Sequence, residues 1–430
     1  AMLPVNAPQV HREMADIPII DTAALAILGS DDLLVSMLRS GASQDQINDY
    51  VSWTINTTQA LGLKVINAGG SQAFKAGVEQ FGLDDEVPDY GISSRRLLTS
   101  LQTAVHQLGI PHPVHVHCNN LGVPGNVQTA IDTMEAAQGL PMHLAHVQFY
   151  GYGAEGNRGF SSAAAQLMEA FNRHPNITMD VGQVLFGQTV TMSGDIIAQF
   201  SRRGDASPHK WVMWHAEDEG SGGIVPYQYK KASFVNGLQW AIGLEIFLLS
   251  GDPWRLFFTT DHPNGAPFTR YPDLLHLLMD YDFRMACLAE LDPEIMELTL
   301  LKDLKQEFSL YEIAIMTRAA PAKLLGLNDR GHLQPGALAD IAVYHEQDDK
   351  AAMFRKAQWV FKNGQLIIER GEFVKRQFGQ TMTVKPHFDR QIETTVKDYF
   401  DRFYSMKLSN YGVQDDLLFD QPERFSAINL

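Results

Sequence analysis

Apolar positions along the chain alternate between helical and strand-like spacing. "SQDQINDYVSWTINTTQALG" carries Ser43 and Gln46 at capping-box spacing, and the pattern predicts a helix ended by Gly62. "LKVINAGG" follows as a short buried strand stopped by glycines. The pairing then repeats: "GISSRRLLTSLQTAVHQLG" with "IPHPVHVHC", "GNVQTAIDTMEAAQGL" with "PMHLAHVQFY", and "SSAAAQLMEAFNRHP" with "NITMDVGQVLF". A last helix, "NGLQWAIGLEIFLLSG", leads into "WRLFFTTD". Strands separated by helices imply a parallel sheet, and a series this long implies an α/β, (β/α)8 TIM-like barrel, whose chemistry sits where the strands end.

Composition narrows the classes. The chain has 430 residues, 45% of them apolar, enough for a large core. A formal charge of −16 argues against a nucleic-acid partner, which needs clustered Lys and Arg. The longest apolar run carries Glu245 and falls short of the roughly 20 residues that span a bilayer, so no membrane association is expected. Two cysteines, Cys118 and Cys287, make neither a disulfide framework nor a Cys-based zinc site, and a cytoplasmic location is the expectation.

The strand ends hold the candidate chemistry. In "HPVHVHC", side chains two apart share a face, so His115 and His117 point one way and Val114, Val116 and Cys118 the other. "HLAHVQFYGYG" places His146 at a similar point with Gln148 and Tyr150 on its face, and "RLFFTTDHPNG" ends in Asp261 above Thr259 and Phe257. Lys64 arrives from an earlier strand, where a buried lysine is costly. Each has a plainer reading: His112, His115 and His143 as hydrogen-bonded core histidines, Asp261 as a turn cap, Lys64 as a side chain reaching for water. The joint order Lys, His, His, Asp favours a site.

That order resembles the amidohydrolase superfamily of metal-dependent hydrolases. The resemblance implies that Lys64 is carboxylated and bridges two Zn2+ ions, and that His117, His146 and Asp261 are further ligands. "APAKLLGLNDRGHLQPGALADIAVY" and "AQWVFKNGQLIIERGEFV" resemble the family's last barrel helix and its small β-sandwich. The implied division is a barrel over 1–330, a β-sandwich segment over 331–380, and a C-terminal extension over 381–430 that packs on the barrel or on partners. "NAGGSQAFKAG", "HVQFYGYG" and "TTDHPNGAPFTRYPD" narrow the likeness to the A-subunit family of formylmethanofuran dehydrogenases and formyltransferase/hydrolase complexes. What this implies is hydrolysis of an N-formyl amide on a methanofuran- or methylofuran-type carrier, or the reverse condensation, within a multi-subunit complex. Asp261 would be the catalytic proton carrier. Asn119, Asn120, Tyr150 and Asn264 would position the formamide or carrier, His115 would support the ligands, and Arg158 or Lys75 could meet the carrier's tail.

One departure stands out. The family's His-x-His pair should precede the lysine, yet residues 1–63 contain one histidine, His11. Eight βα units of about 30 residues would put roughly 90 before a fourth strand, so the sequence is expected to begin inside the barrel. Three other readings stand beside it: the resemblance also allows a different binuclear amidohydrolase acting on cyclic amides, and the residues allow a non-catalytic scaffold, or dinucleotide binding through Gly151, Gly153 and Gly156 with Asp180 as the ribose acid. The last is disfavoured because Asn157, Arg158 and Gly159 separate the glycines from the helix.

Overall fold

The computed structural model describes residues 1–17, 19–78, 80–156, 158–193, 223–413 and 424–430. Six parallel strands form the central sheet: β1 (Leu25–Ile27), β2 (Gly62–Ile66), β3 (Val114–His117), β4 (Met142–Leu144), β5 (Ile177–Asp180) and β6 (Leu256–Phe257). They lie side by side in chain order, and Met2 adds one parallel bridge to Ala26. Helices α1 (Asp32–Arg39), α2 (Gln44–Thr58), α3 (Ser94–Gln107), α4 (Val127–Ala136), α5 (Ala164–Arg173) and α6 (Phe234–Leu248) follow the strands. This is the α/β, TIM-like arrangement that the alternating pattern predicts.

The two faces of the sheet differ in chemistry. Val65, Val116, Leu144, Met179 and Leu256 lie in the buried core with helix residues such as Leu97, Leu101, Ile131 and Leu167. On the other face, Lys64 pairs in register with His115, His115 with His143, and His143 with Thr178. One polar row thus crosses the inner face beneath the strand ends. None of the described helices is long and apolar enough to cross a membrane.

The elements differ from expectation mainly at their ends. Ser43 caps α2 with the capping box complete, but the helix stops at Thr58, where Gln59 takes a left-handed φ of 54°; Gly62 instead begins β2. β4 ends at Leu144 and the chain turns into a short 3-10 helix over Val147–Tyr150, so His146, Gln148 and Tyr150 do not share a strand face. Tyr152–Gly153 pairs antiparallel with Ser161–Ser162, so the glycine-rich segment is the turn of a small hairpin, not a strand-to-helix phosphate loop. Asn157 lies outside the described residues.

Beyond the barrel, Ile341–Val343, Trp359–Lys362, Gln365–Glu369 and Glu372–Phe373 form an antiparallel four-stranded sheet. Thr381–Val384 lies between Phe425–Ile428 and Thr22–Ala23, in parallel with both, which ties the C-terminal part to the first residues. The helix Ile392–Phe403 buries Ile392, Val396 and Phe400 in the main core, while Phe403 is exposed; its apolar stripe packs on its own chain.

Glu245, inside the apolar α6, is fully buried. Its carboxyl accepts from the Ser162 and Thr299 hydroxyls and from the Leu300 amide. Burial raises its pKa above the ordinary carboxyl value, against the pull of these donors. Glu245→Leu strands three donors and is expected to cost about 2–4 kcal/mol, read by urea unfolding. Glu245→Gln keeps an acceptor of the same shape and should cost less than half as much.

Candidate active site

The rim above the strands is built from residues with left-handed backbone. Asn67 after β2 (φ 43°), Asn120 after β3 (φ 62°), His146 after β4 (φ 40°), Gly182 after β5 (φ 69°) and Asp261 after β6 (φ 48°) all take it. Outside glycine this conformation is uncommon, and it clusters where side chains must be aimed. It turns each chain sharply as it leaves the sheet.

His117, near the end of β3, and His146 face each other with ring centroids 4.5 Å apart. Both are buried. Burial, the neighbouring His117 and the Lys64 charge hold His146 neutral well below the usual imidazole range. Its Nδ1 is buried with no hydrogen-bond partner among the described residues. Asp261 is pushed up to about 7, chiefly by burial; the Lys64 ammonium pulls the other way and the Asp180 carboxylate reinforces the rise. Lys64, in the row one layer below, therefore acts electrostatically on both His146 and Asp261.

The other predicted residues have defined partners. Asn264 Nδ2 donates to Asp261 Oδ2 at 2.8 Å. Tyr150 donates its hydroxyl to the Cys118 carbonyl at 2.7 Å, and its ring stacks on His146 at 5.9 Å and meets His117 edge-on at 6.1 Å. Tyr150 walls the two histidines. Asn119 donates to Ser94 Oγ at 3.1 Å; Asn120 accepts from the Phe81 amide at 2.9 Å and donates to Thr129 at 3.3 Å. Both amides fasten loops to helices. Arg158 is paired with Asp292 and Glu294 at 3.1 Å each. Lys75 is exposed. His112 bonds the Pro113 carbonyl at 2.6 Å, and His143 bonds Thr178 at 2.9 Å and Asp180 at 3.1 Å, as core histidines do; His115 Nδ1 has no partner among the described residues.

Two residues matter here that the sequence pattern did not place in the site. Asp180 Oδ1 accepts from the His146 amide at 3.0 Å and from Thr259 Oγ1 at 2.6 Å. It thereby fixes the left-handed turn that aims His146 and ties it to the segment carrying Asp261. Burial works to raise its pKa, but the hydrogen bond and charge of His143, with His146 and Thr259, hold it at about 2. Its place at the end of "NITMD" was the available signal. Gly182 lies against the same pair: a Cβ there would sit 2.5 Å from His146 Cβ and 3.4 Å from Asp261 Cβ. Gly182→Ala is expected to lower kcat roughly 10²-fold, as a misplacement of about 1 Å does. Steady-state kinetics with a circular dichroism control checks it.

A parallel α/β sheet with two histidines and an aspartate at its C-terminal rim and a lysine in the row beneath is the arrangement of a barrel hydrolase. The chain belongs to the amidohydrolase family, whose sequence profile matches residues 1–368. It is 47% identical over 420 residues to one of the proteins of the formyltransferase/hydrolase complex Fhc of Methylorubrum extorquens, its A component, covering 96% of this chain and 76% of that one. It is 35% identical over 439 residues to protein FwdA of Methanocaldococcus jannaschii, covering 97% and 77%. Its fold matches a chain of the crystal structure of FhcABCD from Methylorubrum extorquens in complex with methylofuran with a TM-score of 0.94 and 46% identity, over 99% of this chain and 79% of that one. The N-acyl-D-glutamate deacylase of Bordetella bronchiseptica shares the fold at a TM-score of 0.50 and 14% identity.

Proposed function

We propose that this chain hydrolyses the N-formyl amide of a methanofuran- or methylofuran-type carrier, or forms it in reverse, as the A-type component of a cytoplasmic multi-subunit complex. Its Methylorubrum extorquens relative belongs to such an assembly by name, and the solved complex holds methylofuran. The balanced reaction consumes one water: the formyl C–N bond breaks, a C–O bond forms, and formate and the free amine leave. Partners are the other subunits of a formyltransferase/hydrolase or formylmethanofuran dehydrogenase assembly. In this reading 1–330 form the barrel, 331–380 the β-sandwich segment and 381–430 the extension.

The donors present fit one zinc ion at His117 and His146; a second, at Asp261 and Lys64, would draw further ligands from the His-x-His pair that residues 1–63 do not supply. The observation that carries the reading is the His117–His146 pair, with a buried, unpartnered Nδ1 on His146, beside Lys64 and Asp261. His117 and His146 would hold one ion through neutral imidazoles, Asp261 the other, and carboxylated Lys64 would bridge them. When bound, such ions lower the pKa of water and polarise the formyl oxygen. CO2 adds to Lys64 Nζ with loss of protons, turning a cation into an anionic bridge. Asp261 takes the proton released by the attacking water and passes it to the leaving nitrogen. Asn264 holds Asp261 Oδ2 while it does so. Tyr150 excludes water from one side of the histidines.

The test is formate release from an N-formyl furfurylamine carrier by the assembled complex. Chelation should abolish it and zinc should restore it. Undiminished release from metal-free protein would overturn the reading.

A further inference from the structure

A second cluster of ligand-type side chains lies on the inner face of the same sheet, one side-chain layer below the His117–His146 pair. His115 from β3, His143 from β4 and Asp180 from β5 each direct a donor atom to a common point, all within 4.8 Å of one another. Among the described residues no other three His, Cys, Asp or Glu side chains converge in this way. We propose that His115, His143 and Asp180 form a separate binding site for one divalent transition-metal ion, with two imidazole nitrogens and one carboxylate oxygen.

Three observations carry this. His143 Nε2 and Asp180 Oδ2 are 3.1 Å apart, close to the roughly 3.3 Å that separates two ligands about 2.0 Å from one tetrahedral ion. The remaining atom of each is held from outside: His143 Nδ1 by Thr178 Oγ1 at 2.9 Å, and Asp180 Oδ1 by the His146 amide and Thr259. Such outer hydrogen bonds fix the tautomer and aim of metal ligands. His115 Nδ1 is buried without a hydrogen-bond partner among the described residues, while its ring packs against His143 with centroids 4.7 Å apart.

Two His and one carboxylate suit Zn2+, Fe2+ or Co2+. The site lies at the base of the rim, and through Asp180 it would set the His146 turn. The experiment is an anomalous difference map at the zinc edge from crystals of the assembled complex equilibrated with ZnCl2. The map reads this position and the His117–His146 position separately, so either can fail alone. A peak bounded by His115, His143 and Asp180 is expected. His115→Gln should weaken Zn2+ there by more than the roughly 10–100-fold that loss of an outer hydrogen-bond partner costs, leaving the upper position filled. No peak at the lower position while the upper one is filled would overturn the proposal and leave a hydrogen-bond network in its place. If His115→Gln does not fold, the wild-type map alone decides.

Discussion

Asp261→Asn is expected to remove turnover while leaving most of the metal in place. The substitution keeps an oxygen at the position that Asn264 contacts and keeps the left-handed turn at φ 48°, but it cannot carry a proton. Loss of a positioned acid-base group lowers kcat roughly 10²–10⁴-fold. Because this residue is also assigned as a ligand, the decrease should lie at the upper end of that range. Elemental analysis and kcat measured on the same preparation separate proton transfer from metal loss. Retained activity would remove Asp261 from the catalytic assignment.

Lys64→Ala should have a comparable effect by another route. Lys64 sits in β2 beside His115 and acts electrostatically on both His146 and Asp261. Without its carbamate, two ions would lose their common bridge, and metal content should fall together with activity. A short carboxylic acid such as acetate or propionate, supplied in its place, is expected to restore part of both. Metal content equal to wild type in Lys64→Ala would show that the lysine is a buried strand residue and not a bridge.

The strands and helices of the barrel were legible because their apolar spacing is strong and their caps are local. Ser43 and Gln46 announce α2, and Val114 and Val116 alternate with His115 and His117 on opposite faces. The exits from the strands were not legible. Left-handed backbone at Gln59, His146 and Asp261 carries no glycine to mark it, so α2 read too long and His146 read as strand. The order Lys64, His117, His146, Asp261 was visible in the chain because these residues fall on or just after β2, β3, β4 and β6, in chain order. The roles of Asn119, Asn120 and Tyr150 were not, since their partners Ser94, Phe81, Thr129 and Cys118 come from other elements. Asp180 entered only through the disfavoured dinucleotide reading, because its link to His146 spans 34 residues and exists only once β4 and β5 lie side by side.

The oxygen that enters formate tests hydrolysis most directly. With the assembled complex, an N-formyl furfurylamine carrier and water enriched in 18O, hydrolysis predicts one solvent oxygen in each formate released, with an equal amount of free amine. Loss of the formyl group without 18O-labelled formate would show that the carbon leaves by transfer to another acceptor, and would contradict hydrolysis at this site.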